Sequence, residues 1–237
     1  MDLGLAGKVA LVTASSKGLG RASAAALLEE GAAVAINSRD PERLRSTAED
    51  LGGDVLALPA DVTDPDAPRR LVQATVERFG ALHVLVANAG GPPKGRALDV
   101  DDATLEAALN ANLLTFVRLV REAVPHMRAA GWGRICLIAS SSVKQPIPDL
   151  ATSNTARAGL WGWAKTAAQD LIDEGITLNL ACPGLHATDR VTESGFAGRL
   201  GDPADFGRVV AFLCSPHAGF VSGAALQVDG AGTLGLL

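Results

Sequence analysis

A glycine-containing turn lies near the start of the chain, between an apolar strand-like run and a helical pattern. The run KVALVT is followed by T-A-S-S-K-G-L-G at 13–20. Gly18 and Gly20 let backbone N–H groups approach a phosphate, and a helix N-terminus adds about half a positive charge. Glycine also serves such turns simply because it permits positive φ. The setting, a strand–helix–strand unit, favours binding of a dinucleotide pyrophosphate.

The end of the next strand indicates which dinucleotide would bind. About 20 residues past the glycines, an NAD-binding protein places Asp or Glu against the ribose hydroxyls. This chain has N-S-R-D there, so Lys17, Ser38 and Arg39 could instead surround a 2′-phosphate. The pattern favours NADP(H) over NAD(H), although Asp40 keeps NAD(H) open. The alternative for Arg39 is a solvated charge before a helix.

These residues need a scaffold of alternating strands and helices. Helical patterns separate seven short apolar runs: KVALVT, AAVAIN, DVLALPA, LHVLVANA, RICLIAS, ITLNLAC and AALQVD. Such alternation predicts a parallel sheet covered by helices on both faces. No linker, internal repeat or low-complexity tract interrupts it. We therefore expect an α/β fold, with residues 1–237 forming a single doubly wound Rossmann domain around a seven-stranded parallel sheet.

The composition limits the classes of function. With 237 residues, 48% of them hydrophobic, the chain can bury the core of one large α/β domain. The net charge of −5, with basic residues scattered among acids, does not predict a nucleic-acid partner. We find neither a leader-like N-terminus nor an apolar run of bilayer length, so we expect a cytoplasmic protein with no membrane partner.

The cysteines and the tyrosine count bear on possible chemistry. Cys136, Cys182 and Cys214 are far apart in sequence, and two of them lie in strand-like runs. We interpret them as buried free thiols rather than as a disulfide or metal pair, and we predict no metal site. The chain contains no tyrosine, so no phenol can take part in a reaction.

Several further motifs follow in one order along nearly the whole chain. They are TASSKGLG, PADVTD, VANAG, ANLLTFVRL, GRICLIAS and CPGLHAT. The ordered set resembles the short-chain dehydrogenase/reductase family, particularly its β-ketoacyl-carrier-protein-reductase-like branch. The resemblance implies a nicotinamide cofactor and a small-molecule substrate that carries a carbonyl or an alcohol.

The resemblance also implies roles for matched residues on the cofactor side. Asp61 and Val62 would face the adenine, VANAG would close over the ribose, and CPGLHAT would surround the nicotinamide. Ala14 stands where the family usually has glycine, so the phosphate turn must tolerate one methyl group. The predicted cofactor-binding residues are Thr13, Ser15, Ser16, Lys17, Gly18, Leu19, Gly20, Ser38, Arg39, Asp61, Val62, Asn88, Ala89, Gly90, Arg157, Pro183, Gly184 and Thr188.

On the catalytic side, the resemblance places four residues at the reacting centre. Asn112 would hold a water in a proton relay, and Ser140 would orient the substrate. The family then has a tyrosine that donates a proton and, four positions later, a lysine that lowers its pKa. Here those positions are Ser153 and Arg157, and the following motifs keep the family spacing. Both residues lie on one helix face, as positions i and i+4 do.

The replacement changes the chemistry of the site. Arg157 keeps a fixed charge that can bind the cofactor ribose, but guanidinium does not readily release protons. The Ser153 hydroxyl can orient a carbonyl or a water, yet it is a poor acid at neutral pH. A proton could come from Lys144 or His186. The alternatives are that Lys144 is a solvated loop charge and that His186 is a surface residue that contributes only backbone.

Two other features concern the substrate and the assembly. The segment after Thr188 leaves little room for the helix pair that the family places over the substrate, although it could simply be a trimmed loop. By the resemblance, the helices carrying Asn112 and Ser153 pack against other subunits, and Trp161 and Trp163 fit a homo-oligomer, either a tetramer or a dimer. Core packing would explain one tryptophan equally well.

Two functions remain open. The first is an NADP(H)-dependent oxidoreductase with an altered acid/base set, in which Asn112, Ser140, Ser153 and Arg157 line the reacting centre. The second is a protein that binds the cofactor with little or no turnover, such as a sensor, a regulator or a partner subunit. We favour the first, and the joint loss of tyrosine and lysine is the feature that supports the second.

Overall fold

The computed structural model describes residues 2–193 and 195–235, which contain a seven-stranded parallel sheet. The strands are β1 (Val9–Val12), β2 (Ala33–Ser38), β3 (Val55–Pro59), β4 (Val84–Ala87), β5 (Gly133–Ile138), β6 (Ile176–Pro183) and β7 (Ala225–Val228). The α-helices are α1 (Gly18–Glu29), α2 (Pro41–Leu51), α3 (Ala67–Phe79), α4 (Asp102–Leu109), α5 (Thr115–Ala129), α6 (Ala151–Leu171), α7 (Asp189–Thr192) and α8 (Pro203–Leu213).

The strand order explains where a site can form. The sheet runs β3-β2-β1-β4-β5-β6-β7, so β1 pairs with β2 on one side and β4 on the other. The chain winds outward from β1 in one direction as far as β3, then returns and winds in the opposite direction. The loops after β1 and β4 therefore diverge, and a crevice opens at the carboxyl ends of these strands.

Both faces of the sheet are covered, because successive side chains of a strand point to opposite faces. Leu11 packs in a core cluster with Phe116 and Met127 of α5. Its neighbour Val12 packs in a second cluster with Phe206 of α8. The predicted doubly wound sheet with helices on both faces is confirmed.

The helices differ from the sequence pattern in two places that concern the site. The helical pattern of the sequence, rich in Ala and Leu, runs from Arg21 to Glu30, but α1 begins at Gly18, so the glycines of the turn form its first turn. The helical pattern over 105–131 is divided into α4 and α5 by a π-helical turn, Asn110–Leu114. Thr115 donates to the Asn110 carbonyl through its backbone N–H and through its hydroxyl, the latter at 2.8 Å.

The three cysteines are buried free thiols, as predicted. Cys136 and Cys214, although distant in sequence, are hydrogen-bonded to each other, and this contact, with burial, raises the pKa of Cys136 well above its usual value. Within the described residues, no helix is both long and apolar enough to cross a membrane.

Candidate active site

The two loops that border the crevice are joined by hydrogen bonds. The Thr13 hydroxyl donates to the Asn88 carbonyl at 2.7 Å and accepts from the Asn88 N–H at 2.8 Å. The Asn88 side chain donates to the Ala14 carbonyl at 3.0 Å. Thr13 is fully buried. These two predicted cofactor residues therefore fix the crevice walls relative to each other.

The N-terminus of α1 is shaped for an anion. Gly18 has φ +58°, and a Cβ on Gly20 would lie 2.5 Å from the Ala14 carbonyl oxygen. Among the described residues no side chain caps this helix, and its first turn carries no acid, whereas Asp40 caps α2 by accepting from two backbone N–H groups. The first N–H groups of α1 thus remain available to a phosphate.

Ala14 adopts the left-handed backbone conformation, with φ +47°. This conformation costs a non-glycine residue about 1–2 kcal/mol, so the turn tolerates the extra methyl group at an energetic penalty. Ala14 N–H donates to the side chain of Asn37 at 3.3 Å. Asn37 is almost fully buried and also donates to the Leu58 and Ala60 carbonyls. We had not selected Asn37, although an asparagine ending an apolar strand was the available signal.

Ser15 supports the turn from inside the protein. Its side chain is fully buried, and its hydroxyl donates to the Val12 carbonyl at 2.7 Å and accepts from Asn37 N–H at 3.0 Å. Ser16 is less buried and donates to the Ser38 hydroxyl at 2.9 Å. Leu19 follows, half-buried, in the first turn of α1. Of the two serines, only Ser16 faces the corner where a 2′-phosphate would sit.

That corner also carries the predicted cations. Lys17 and Arg39 are exposed, and an Arg39 guanidinium nitrogen lies 3.8 Å from an Asp61 carboxylate oxygen. Burial alone would raise the pKa of Asp61, but hydrogen bonds from Thr63 and the charge of Arg39 outweigh it and lower this pKa. Val62, next along the chain, is buried. The ionised Asp61 therefore forms a weak, exposed ion pair with Arg39.

The remaining cofactor residues lie at the carboxyl ends of β4 and β6. Ala89 is half-buried and Gly90 exposed. Pro183 ends β6, and Thr188 is the residue before α7, where its Cγ2 would lie 3.6 Å from a Cβ on Gly18. The loop after β6 therefore reaches across to the phosphate turn.

The π-helical turn carries Asn112 into the interior. Asn112 is fully buried, and its side-chain N–H donates to the Ala108 carbonyl at 3.4 Å, whereas its Oδ1 has no partner among the described residues. Asn110 in the same turn donates to the Thr63 carbonyl at 3.0 Å and accepts from Arg118 at 2.7 Å. Asn110, which we had not selected, thus ties this turn to the loop of Asp61.

Ser140 and Ser153, the two predicted substrate contacts, lie on different elements. Ser140 follows β5, and its hydroxyl accepts from Ser142 N–H at 3.1 Å. Ser153 lies in the first turn of α6 and is buried. The start of α6 is held by Asn154, which donates to the Ile147 carbonyl and accepts from the Ile147 N–H, and by the Thr152 hydroxyl, which donates to the Pro93 carbonyl.

Arg157 is directed into the protein. Only 5% of the residue is exposed; its guanidinium donates to the Ile138 carbonyl at 2.7 Å and lies 5.5 Å from the centroid of the Phe116 ring. Ile138 ends β5, two residues before Ser140. Arg157 therefore holds the strand end that carries Ser140. The ribose contact expected of it remains a prediction.

The two alternative proton donors differ in environment. His186 is 95% buried, because its ring packs edge-on against Phe206 and beneath Gly201. The backbones of His186 and Gly201 also form a β-bridge. The expectation that His186 is a surface residue is therefore wrong. Lys144 is half-buried, with its ammonium 5.8 Å from the centroid of the Trp161 ring, so it is not a freely solvated loop charge.

A buried thiol lies beneath Ser140. Burial raises the pKa of Cys182 to about 12, although the Ser140 N–H and the charges of Lys144 and Arg157 act in the opposite direction. Cys182 is therefore a neutral thiol at physiological pH. A thiol with so high a pKa is a poor nucleophile.

The segment that would cover the substrate is short, as predicted. Helix α7 spans only Asp189–Thr192, and α8 already begins at Pro203. Between them the chain folds back on the loop after β6, where Gly201 N–H donates to the Leu185 carbonyl at 2.9 Å. The substrate side of the crevice therefore lacks a helix pair within the described residues.

An open parallel sheet with a glycine-rich crevice at its switch point defines a protein of the dinucleotide-binding class. Residues 13–233 match the family model described as enoyl-(acyl carrier protein) reductase. The chain is 32% identical to dehydrogenase/reductase SDR family member 4 of Sus scrofa, over 95% of this chain and 87% of that protein. It is 30% identical to the 3-oxoacyl-(acyl-carrier-protein) reductase FabG of Vibrio cholerae, over 96% of this chain and 98% of that protein.

Among solved structures, L-sorbose reductase of Gluconobacter frateurii, complexed with NADPH and L-sorbose, superimposes with a TM-score of 0.91. It is 31% identical, and the match covers 97% of this chain and 98% of that one. The protein belongs to the short-chain dehydrogenase/reductase family. The relatives named above are oxidoreductases.

Proposed function

We propose that this protein is an NADP(H)-dependent oxidoreductase that reduces the carbonyl of a small molecule, of ketone or 3-oxoacyl type, or oxidises the corresponding alcohol. The observation that carries the proposal is the uncapped N-terminus of α1, approached through Gly20, where a Cβ would collide with the Ala14 carbonyl. The residues present fit a dinucleotide pyrophosphate there. The NADPH complex of the similar L-sorbose reductase supports the same cofactor.

Preference for NADP(H) follows from the corner formed by Lys17, Ser38 and Arg39. A 2′-phosphate would accept hydrogen bonds from the two cations and the hydroxyl, and it would compete with Asp61 for Arg39, which lies 3.8 Å away. Because both Arg39 and Asp61 are exposed, that ion pair contributes little and yields readily to a phosphate.

At the reacting centre, Ser140 and Ser153 would hydrogen-bond the substrate oxygen. The bound cofactor supplies or accepts the hydride. Arg157 would position Ser140 through the Ile138 carbonyl, and its charge would stabilise negative charge that develops on the oxygen. Without a phenol, the proton would come from water held by these hydroxyls and by Asn112, whose Oδ1 is buried and without a partner among the described residues.

The cofactor assignment is tested by thermal-shift and calorimetric titration with NADPH and NADH. Arg39→Ala should weaken NADPH binding by about 10- to 100-fold and leave NADH binding unchanged, because it removes charge-assisted hydrogen bonds to the 2′-phosphate. Arg43→Ala, which changes a nearby exposed arginine of α2 that pairs with Asp40, is the matched control. A wild-type preference for NADH would contradict the assignment of Lys17 and Arg39.

Turnover is tested by following NADPH oxidation with a panel of ketones and β-ketoacyl thioesters. Measurable reduction of any of them supports the oxidoreductase. A different result would support a cofactor-binding regulator or partner subunit. In that case the wild type binds NADPH tightly but reduces no compound, and Ser153→Tyr combined with Arg157→Lys gives a variant that does reduce them. The relatives found are reductases and dehydrogenases, which does not favour that alternative.

We further propose that the protein acts in the cytoplasm as a homo-oligomer, a tetramer or a dimer. Trp161 and Trp163 are partly buried against the core, so a part of each remains for a subunit contact. Light scattering after size-exclusion chromatography measures the assembly directly. A monomer at micromolar concentration would contradict the proposal.

A further inference from the structure

The segment after β7 crosses the carboxyl edge of the sheet. A Cβ on Gly184, in the loop after β6, would lie 2.8 Å from both Cα and Cβ of Asp229, so the start of the segment is packed closely on that loop. At its other end, Leu234 N–H donates to the Gln145 side-chain oxygen at 2.8 Å. Gln145 follows Ser140 by five residues. The segment 229–234 therefore connects the loops that border the reacting centre.

The shape of this segment is held by one carboxylate. Asp229 accepts from the Thr233 hydroxyl at 2.6 Å, from Thr233 N–H at 2.9 Å and from Ala231 N–H at 3.1 Å. Burial alone would raise the pKa of Asp229, but these hydrogen bonds outweigh it and lower this pKa. Gln227 also donates to the Thr233 hydroxyl at 3.1 Å. The segment is thus a fixed structure at neutral pH.

The segment brings an exposed apolar residue to the loop that follows Ser140. Leu234 is 85% exposed, although its backbone is hydrogen-bonded to Gln145. Leu185, beside Gly184, is also exposed, at 49%. On this edge, the described residues between β6 and α8 include four helical residues, those of α7. Two exposed leucines therefore lie at the carboxyl edge of the sheet, one in the loop after β6 and one on the segment after β7.

The geometry points to the segment 229–234 as a wall of the substrate site, with Leu234 as a specificity-determining residue that selects carbonyl compounds bearing an apolar chain on the β7 side. This inference rests on the proposed oxidoreductase function. Gln145 is then a positioning residue, because it sets the place of Leu234 without touching the substrate.

The kinetic test uses NADPH and straight-chain methyl ketones from acetone to 2-octanone. For the wild type, KM should fall with chain length, by up to about fourfold for each methylene that is buried. Leu234→Ser should raise KM for 2-octanone several-fold, leave KM for acetone unchanged and leave kcat unchanged. Phe220→Ser, which alters a 99% exposed apolar residue before the amino end of β7, is the control. An unchanged dependence of KM on chain length in Leu234→Ser would overturn the inference.

Gln145 provides a conservative pair of variants. Gln145→Leu removes the acceptor of the Leu234 N–H and should raise KM for 2-octanone as Leu234→Ser does. Gln145→Glu keeps an acceptor and should have the wild-type KM. Hydrogen exchange of the peptide 229–235 should be faster in Gln145→Leu and normal in Gln145→Glu. Faster exchange in Gln145→Leu without any change in KM would mean that the segment is only structural.

The exchange experiment also separates the two proposals. Protection of residues 13–20 by NADPH tests the cofactor site and does not involve the segment. If NADPH binds but no ketone is reduced, 2-octanone should still slow exchange of 229–235 in the presence of NADPH, and should not do so in Leu234→Ser. Absence of that protection in the wild type would overturn the inference and leave the cofactor assignment intact.

Discussion

The two halves of the crevice differ in the chemical groups from which they are built. The nucleotide half, formed by the loops after β1 to β4, is built largely from backbone: the Thr13–Asn88 hydrogen bonds, the close approach at Gly20 and the N-terminus of α1. The reaction half, formed by the loops after β5 to β7 and the start of α6, depends on side chains. By the resemblance, Ser153 and Arg157 occupy the positions of the family's tyrosine and lysine, and this correspondence remains a prediction. Binding by backbone geometry tolerates sequence change, whereas proton transfer depends on the pKa of one particular group.

The largest expected effect comes from introducing the family's tyrosine and lysine into the reaction half. Ser153→Tyr combined with Arg157→Lys should raise kcat for ketone reduction by about 10²- to 10⁴-fold, the usual contribution of a positioned general acid. Ser153→Phe with Arg157→Lys is the matched control, since it adds the ring without the hydroxyl. If the phenylalanine variant gains as much, the effect comes from packing and not from the acid. The measurement is the steady-state rate as a function of pH.

The nucleotide half should be most sensitive at Gly20. In Gly20→Ala the new Cβ would lie 2.5 Å from the Ala14 carbonyl oxygen and 2.8 Å from the Asn88 side chain. Overpacking of this kind costs about 1–3 kcal/mol, and the upper value corresponds to roughly 100-fold weaker NADPH binding. Calorimetry measures the affinity. Gly162→Ala serves as the control, because nothing lies within 4 Å of that Cβ on α6 and the change should stabilise the helix by about 0.5–1 kcal/mol.

A smaller effect of opposite sign is expected at Ala14. Because φ is +47°, Ala14→Gly should relieve strain and raise stability by up to about 1 kcal/mol, after the greater chain entropy of glycine is subtracted. Ala25→Gly within α1 should lower stability by a similar amount. Thermal and urea unfolding compare the two. Destabilisation by Ala14→Gly would mean that the methyl group makes a contact that outweighs the strain.

The smallest effect concerns His83, which lies at the opposite edge of the sheet. A variant of His83 separates the effect of pH on folding from the effect of pH on the reaction half. Val9 N–H donates to His83 Nδ1 at 3.1 Å, which requires a neutral ring. Burial, together with the charge of Lys8, lowers the pKa of His83. Its contribution is therefore complete above the unfolded pKa of about 6.5 and is lost as pH falls below that value. Urea unfolding at pH 7.5 and 5.5 should show a small loss of stability at the lower pH that His83→Gln lacks.

Much of the nucleotide half could be predicted because its signals are local. Gly18 and Gly20 lie two residues apart in a turn, and their spacing from Arg39 along the chain is that of one strand–helix–strand unit. Asn37 and Asn110 escaped prediction because their partners, the carbonyls of Leu58, Ala60 and Thr63, are more than 20 residues away. Only the folded sheet brings those groups within hydrogen-bond distance.

In the reaction half, the sequence placed Ser153 and Arg157 on one face of a helix, because they are four residues apart, and both lie on α6. Their catalytic roles come from the resemblance and remain predictions, and the directions of their side chains could not be predicted. That the Arg157 guanidinium turns to the Ile138 carbonyl, and that the His186 ring packs under Gly201, depends on neighbours supplied by β5 and α8. A side chain takes the rotamer that satisfies its charge and excludes voids, and those partners are known only after packing.

The sequence by itself determined the doubly wound sheet, the glycine turn before α1 and the absence of any phenol, because strand and helix periods, turn residues and composition are properties of short stretches. Tertiary structure alone decided that Ser15 is enclosed, that Arg157 holds β5 and that the segment after β7 reaches Gln145. These outcomes arise where segments distant in the chain compete for the same buried space and the same hydrogen-bonding groups.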